Sequence, residues 1–190
     1  MIDVQVVIPV APDGVINGHL ATWCERHAPH YRTWIDGRGR NNLPVIRNDL
    51  SGEFLRACAL PWLWMIDSDM VPLAETRSIL CASDALARSC SGPRRGSRDP
   101  AHHGGLWCAC LLIHRQALAA CGPAPFGTAT LADGQCECLA ISAACKAAAI
   151  PTSQSGTIGH RFPCIAVPDR NVTSRLLTDD EFTRLPDGWS

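Results

Sequence analysis

Two aspartates, Asp67 and Asp69, flank Ser68 directly after the apolar run Trp62-Leu-Trp-Met-Ile66. In an extended segment, residues i and i+2 point to the same side, so both carboxylates can face one ligand while Ser68 faces away. Hard oxygen ligands suit Mg²⁺ or Mn²⁺, which proteins usually hold through one or two carboxylates together with substrate phosphates. The pair therefore predicts a divalent cation bound to a diphosphate; the alternative is a capped turn or two solvated side chains.

The apolar run before this pair predicts the element that positions it. Successive apolar residues are typical of a central parallel strand buried on both faces, and in open α/β sheets ligands bind at the carboxyl ends of such strands. Further strands are predicted at residues 4–10, 31–35, 44–46 and 106–114. Helices are predicted at residues 16–27, at 50–58 with Asn48 or Asp49 as the cap, and at 73–87, 116–120 and 133–149. This alternation predicts an α/β fold with a mostly parallel central sheet flanked by helices.

Residues 91–105 interrupt the pattern with glycine, proline, arginine and histidine and almost no apolar residues. This composition predicts a long flexible loop. The loop either closes over a bound diphosphate with its basic side chains or stays solvated throughout. Those side chains are Arg94, Arg95, Arg98, His102 and His103.

The length and charge of the chain limit the classes of protein to which it can belong. The chain has 190 residues, which fits a single domain, and its 17 Lys and Arg against 18 Asp and Glu give no field that favours nucleic acid or an anionic membrane. No apolar run approaches the roughly 18 residues of a membrane span, so no span is expected. The start Met1-Ile2-Asp3 lacks the basic residues of a signal peptide, and we therefore expect a cytoplasmic protein.

The 11 cysteines are numerous for a chain of this size. Without a secretion signal, reduced thiols that pack as small buried apolar groups are expected rather than disulfides. Cys108 with Cys110 and Cys136 with Cys138 form two C-x-C pairs, which raise the alternative of a zinc-binding module. Structural zinc sites usually have longer gaps between their paired ligands, so this spacing fits zinc poorly.

Several segments resemble, in their order along the chain, family-2-like glycosyltransferases of the GT-A type. The segments are Val7-Ile-Pro-Val10, Ile35-Asp-Gly37, Arg47-Asn48, Phe54-Leu55, residues 63–72 with Asp67-Ser-Asp69, residues 107–115, Ala132-Asp133 with Glu137 downstream, and Gly159-His160. The resemblance covers most of the chain, and the D-x-D pair is its most specific part. It implies a single GT-A, Rossmann-like domain over residues 1–190, with a nucleotide-binding half at 1–72 and an acceptor and metal half at 106–165.

The resemblance also implies roles for individual residues. It assigns nucleotide contacts to Pro9, Asp36, Arg47, Asn48 and Asp67. It assigns the cation to Asp67, Asp69 and His160, and a histidine ligand favours Mn²⁺ over Mg²⁺. Asp133 corresponds to the catalytic base of inverting members, which takes the proton from the acceptor hydroxyl. Asp133 can equally cap the helix that follows it.

The function that these roles imply is transfer of a sugar from a nucleoside-diphosphate sugar to an acceptor hydroxyl, with a glycan, protein or small molecule as acceptor. Three alternatives remain open. The chain can bind a nucleotide sugar without turnover, or it can be the zinc module described above. It can also be a nucleotidyltransferase, although the segment Ala11-Pro-Asp-Gly14 after the first strand lacks the glycine-rich basic loop of such enzymes.

Overall fold

The apolar runs of the sequence form the centre of one sheet. The computed structural model describes residues 3–10, 16–28, 31–35, 42–80, 84–91, 105–128, 136–162, 164–168 and 174–177. Its strands are β1 (Val4–Val10), β2 (Tyr31–Ile35), β3 (Trp62–Ile66), β4 (Met70–Pro72), β5 (Ala87–Ser91), β6 (Cys110–His114), β7 (Thr152–Phe162), β8 (Cys164–Pro168) and β9 (Ser174–Leu177). Its helices are α1 (Gly18–His27), α2 (Leu43–Ala57), α3 (Arg115–Ala120) and α4 (Glu137–Ala147), together with a 3-10 helix at Ala74–Leu80.

The strand order of the sheet is β2-β1-β3-β6-β5-β7-β8-β9, and β4 pairs with β7. Strand β1 is parallel to β2 and β3, and β5 is parallel to β7. Strand β6 is antiparallel to both β3 and β5, so the other strands from β2 to β7 in this order all run in one direction. The predicted mostly parallel central sheet is therefore confirmed. The carboxyl ends of β1, β2, β3 and β5 share one edge with the start of β6.

The sheet separates two apolar layers. Along β1, Val6 and Ile8 face the layer that contains Trp23 of α1, whereas Val7 faces the layer that contains Leu50 of α2. All of β3 is buried, and its residues alternate between the two layers. Helices α3 and α4 contribute buried residues to the layer of α2. The continuous apolar run before Asp67 is thus explained by helices covering both faces of its strand.

The start of α2 corrects two predictions. Residues 44–46 were expected to form a strand, but they lie in the first turn of α2, so the expected cap at Asn48 or Asp49 is also wrong. The N-cap is Asn42, whose side-chain oxygen accepts a hydrogen bond from the Val45 amide at 3.4 Å. Pro44 favours this start because its missing N–H has no helical partner at that position.

Other predicted boundaries also change. The helix expected at residues 73–87 is a 3-10 helix followed by β5, whose backbone pairs with β6 and β7. The strand expected at 106–114 is the shorter β6. Helix α4 has Cys136 as its N-cap, so a cap at Asp133, which lies outside the described residues, is wrong. His160 lies within the long strand β7.

In the portions of the chain that the structure describes, no helix combines the length and the apolar character needed to cross a lipid bilayer.

Candidate functional site

The acidic turn at residues 67–69 is held in place by its neighbours on both sides. The Asp67 amide donates to the Ala109 carbonyl at 2.9 Å, and the Met70 amide donates to the Asp67 carbonyl at 3.1 Å. Just before α1, the Asn17 amide donates to the Ser68 carbonyl at 2.9 Å. The side chain of Asn17 donates to the Met70 carbonyl at 3.4 Å. These contacts fix the turn at the carboxyl end of β3.

Asn17 is also the N-cap of α1, so it contacts both the helix and the acidic turn. Its Oδ1 accepts a hydrogen bond from the His19 amide at 2.9 Å, and its side chain is nearly buried. An asparagine at this position is a common helix start, and that is the signal that could have identified it in the sequence. Its contact with the acidic turn joins residues that are far apart in the chain, so local sequence patterns do not reveal it.

Asp67 forms an ion pair with Arg47, which lies in the second turn of α2. The distance from Arg47 Nη2 to Asp67 Oδ1 is 2.6 Å, and the Arg47 side chain has 0% exposure against 24% for Asp67. Within the described residues, Nε and Nη1 of Arg47 make no hydrogen bond. The contact is therefore monodentate, although guanidinium and carboxylate groups frequently pair through two parallel hydrogen bonds.

A further carboxylate lies on the other side of Arg47. Glu137 Oε1 is 3.9 Å from Arg47 Nε, and the Glu137 side chain is 10% exposed. Glu137 occupies the first turn of α4, where the helix dipole favours an acidic side chain. When ionised, Asp67, Asp69 and Glu137 together carry more negative charge than Arg47 offsets.

The pKa values of the ion pair reflect this imbalance. Burial raises the pKa of Asp67 above its usual range, and the nearby charges of Asp69 and Glu137 raise it further, against the opposing effect of Arg47. Burial also disfavours the charged form of Arg47, but Asp67 and Glu137 outweigh it and raise the Arg47 pKa. A divalent cation beside Asp67 and Asp69 would relieve the excess negative charge.

His160 approaches the acidic turn through its backbone. Strands β4 and β7 are antiparallel, and Met70, which follows Asp69, pairs with His160. The side chain of His160 lies outside what the structure describes. In the described residues, no three side chains of His, Cys, Asp or Glu form a group that could hold a metal ion. The carboxylates of Asp67 and Asp69 fit a hard divalent cation by their chemistry, and the role of His160 as a further ligand stays a prediction.

The predicted nucleotide contacts occupy different environments. Asn48 uses both ends of its carboxamide on the backbone, because Nδ2 donates to the Gly127 carbonyl at 2.7 Å and Oδ1 accepts from the Phe126 amide at 3.0 Å. Pro9 is buried in β1 opposite Trp34, and Arg47 is buried behind Asp67. Asp36 lies outside the described residues, as does Asp133, and the roles of these five residues stay predictions.

Among the described residues, the two C-x-C pairs do not come together as the four-thiol cluster of a zinc module. The Cys108 amide lies 3.3 Å from the Cys138 sulfur, and both residues belong to the apolar layer of α2. Cys110 belongs to the opposite layer, where its sulfur accepts a hydrogen bond from Trp64 at 3.3 Å. The cysteines that the structure describes are free thiols.

Comparisons with known proteins identify the fold. Neither a protein-family model nor a curated protein sequence matches this chain. The structure is similar to A197 from STIV, with a TM-score of 0.65 and 14% identity over 94% of this chain and 95% of that one. It is also similar to 4-diphosphocytidyl-2C-methyl-D-erythritol synthase, with a TM-score of 0.50 and 13% identity over 96% of this chain and 97% of that one.

A third similarity is to the catalytic domain of Drosophila β1,4-galactosyltransferase 7 in complex with xylobiose. Its TM-score is 0.55 and its identity 15%, over 100% of this chain and 82% of that one. A mutant of that enzyme in complex with manganese, UDP-Gal and xylobiose matches equally well. At such low identity the likeness concerns the fold alone. The chain has a single-domain α/β fold of the GT-A, Rossmann-like type, as its sequence predicts.

Proposed function

We propose that the chain is a metal-dependent glycosyltransferase that moves a sugar from a nucleoside-diphosphate sugar to an acceptor hydroxyl. The observation that carries the proposal is the Asp67-Ser68-Asp69 turn, fixed at the carboxyl end of the buried strand β3. Ligands bind at this edge in open α/β sheets. The excess of carboxylate over guanidinium charge in this region favours a cation as part of the ligand.

Each proposed role uses the chemistry of a named residue. Asp67 and Asp69 hold the cation with His160, and Arg47 engages one oxygen of Asp67. Pro9, Asp36, Arg47 and Asn48 lie on the nucleotide side of the site in this proposal. When bound, Mn²⁺ or Mg²⁺ would neutralise charge on the diphosphate leaving group.

Asp133 is proposed as the catalytic base. It takes the proton from the acceptor hydroxyl while the acceptor oxygen forms a bond to the anomeric carbon. The bond from that carbon to the diphosphate oxygen breaks in the same step, so the electron pair leaves with the nucleoside diphosphate. A single displacement of this kind inverts the anomeric configuration. The Drosophila galactosyltransferase with manganese and UDP-Gal supports the proposal by analogy, because it shares the fold.

The test is calorimetric binding of a panel of nucleoside diphosphates and nucleotide sugars, with and without Mn²⁺. Asp69→Asn is expected to weaken Mn²⁺-dependent binding by at least about tenfold. The matched control is Asp84→Asn, which changes an exposed aspartate ahead of β5, at the opposite edge of the sheet. If wild-type protein binds no donor in the presence of Mn²⁺, the proposal is wrong. Donor binding without transfer or hydrolysis would instead favour the non-catalytic sugar-nucleotide-binding protein.

A nucleotidyltransferase is the second candidate, because the fold is also similar to that of 4-diphosphocytidyl-2C-methyl-D-erythritol synthase. The two candidates differ in the products that they release. A nucleotidyltransferase consumes a nucleoside triphosphate and releases pyrophosphate, whereas the glycosyltransferase releases a nucleoside diphosphate. Incubation with each of the four nucleoside triphosphates and a set of sugar phosphates, followed by a pyrophosphate assay, separates them.

A further inference from the structure

The ion cluster beneath the acidic turn joins three elements of the fold. Arg47 belongs to α2, Asp67 follows β3, and Glu137 begins α4. The guanidinium is fully buried between the two carboxylates, 2.6 Å from Asp67 and 3.9 Å from Glu137. Because a guanidinium is a rigid planar fork, a carboxylate beside Nε restricts which N–H groups can reach a second carboxylate.

Glu137 is held in place by the packing of α4. One turn further along this helix, the Ser142 hydroxyl accepts a hydrogen bond from the Leu106 amide at 2.9 Å. Cys138, next to Glu137, receives the Cys108 amide on its sulfur at 3.3 Å. These contacts fix the start of α4, from which the nearly buried Glu137 carboxylate lies beside the guanidinium.

The hydrogen bonds of Arg47 indicate how the Glu137 carboxylate affects the ion pair with Asp67. A free guanidinium facing a carboxylate tends to pair with both oxygens through two N–H groups. Arg47 instead touches only Oδ1 of Asp67, and its Nε lies toward Glu137 without a hydrogen bond among the described residues. This one-point contact leaves the second Asp67 oxygen outside the ion pair.

We infer that Glu137 is a positioning residue for the cation site and that it acts through Arg47. By attracting the Nε side of the guanidinium, it prevents Arg47 from occupying both oxygens of Asp67. One Asp67 oxygen then remains for the cation, together with Asp69. The inference rests on the proposed function for the identity of the ligand. In this inference Glu137 connects α4 to the proposed cation site at the carboxyl end of β3. The segment before α4 contains Asp133.

The first experiment measures Mn²⁺ affinity by calorimetry. Glu137→Gln is expected to weaken binding by about three- to tenfold, a range typical of coupled neighbouring charges. The matched control is Glu25→Gln, an exposed residue of α1 two turns beyond Asn17, which should leave the affinity unchanged. Equal Mn²⁺ affinity in wild type and Glu137→Gln would overturn this inference while leaving the proposed function intact. If wild-type protein binds no Mn²⁺, either alone or together with a nucleoside diphosphate, the proposed function and the inference fail together.

A double-mutant cycle separates action through Arg47 from a direct effect of the Glu137 charge on the cation. In Arg47→Lys, the single charged nitrogen cannot form the two-point contact. Glu137→Gln should therefore change the Mn²⁺ affinity by less than about twofold in this background, since interacting residues give non-additive effects. If the loss caused by Glu137→Gln is the same in both backgrounds, Glu137 acts directly and the inference is wrong.

A spectroscopic measurement provides a readout that needs no metal. In ¹⁵N-labelled protein, the Nε–H resonance of Arg47 is expected to exchange slowly with water, because the guanidinium is fully buried. Glu137→Gln should move this resonance, since the guanidinium turns toward Asp67. A resonance that stays in place in a folded Glu137→Gln variant would overturn the inference, and Glu25→Gln again serves as the control.

Discussion

Helix α2 carries two ion pairs of the same chemical type in different surroundings. In the first, Arg47 near the start of the helix contacts Asp67 at 2.6 Å, with side-chain exposures of 0% and 24%. In the second, Glu53 near the end of the helix contacts Arg32 of β2 at 2.8 Å, with exposures of 36% and 39%. The two pairs thus differ mainly in their access to water.

The two carboxylates respond to their surroundings in opposite directions. Hydrogen bonds from Trp34 and Arg32 lower the pKa of Glu53, whereas burial raises the pKa of Asp67 despite its arginine partner. Ionised Glu53 is therefore favoured by folding and ionised Asp67 is disfavoured. A buried ion pair can cost more in lost hydration than it gains in attraction, and such costs are common where function needs the charge. In the proposed function the Arg47–Asp67 pair belongs to the cation site, whereas the exposed Arg32–Glu53 pair joins α2 to β2.

Removal of Arg47 is expected to have the largest effect on stability. Arg47→Met leaves Asp67 and Glu137 close together with no positive partner, which should lower the free energy of unfolding by about 3 kcal/mol at neutral pH. The loss should shrink in acid, where the carboxylates become neutral. Arg32→Met, the matched change in the exposed pair, should cost no more than about 1 kcal/mol. Urea unfolding measures both, and equal losses would contradict the distinction between the two pairs.

The elements around this comparison differ in how well the sequence predicts them. The apolar runs of β1 and β3 and the helical spacing of α1 are strong local signals, and these elements are found where they were expected. The predicted start of α2 was wrong. The β-branched residues Val45 and Ile46 favoured a strand in the prediction, although Pro44 after Asn42 is a helix-start signal. β5 was missed because its strand conformation depends on pairing with β6 and β7, which are distant in sequence.

The site shows the same division between local and distant signals. The placement of the acidic pair at a strand end follows from the apolar run before it, and the structure confirms that position. The pairing of Asp67 with Arg47 depends on how α2 packs against the sheet, and no local pattern encodes it. Glu137 was noticed only as part of the family resemblance, since its contact with Arg47 needs the packing of α4.

Asp67→Asn tests whether the ionised Asp67 carboxylate stabilises or destabilises the folded protein. A raised pKa means that the favourable contribution of Asp67 is present below its ordinary pKa and is lost as the pH rises through the raised value. Asparagine stays neutral and keeps an oxygen that can accept the Arg47 hydrogen bond. Glu137 remains beside Arg47 and still offsets its charge. At neutral pH the variant should therefore equal the wild type or exceed it by up to about 1 kcal/mol in urea unfolding, and the gap should narrow in acid. A clearly less stable variant at neutral pH would show that the buried pair stabilises the fold.

The smallest expected effect is that of Glu53→Gln, and it has the opposite pH dependence. Because the pKa of Glu53 is lowered, its contribution is present above the ordinary pKa of a glutamate and is lost as the pH falls through the lowered value. The variant should be less stable by about 0.5 kcal/mol at neutral pH, since the pair is exposed to water. The difference should vanish in acid and decrease in molar salt, which screens exposed charges. If urea unfolding gave the same difference at every pH, the effect of Glu53 would come from its hydrogen bond with Trp34 rather than its charge, and the contrast with Asp67 would disappear.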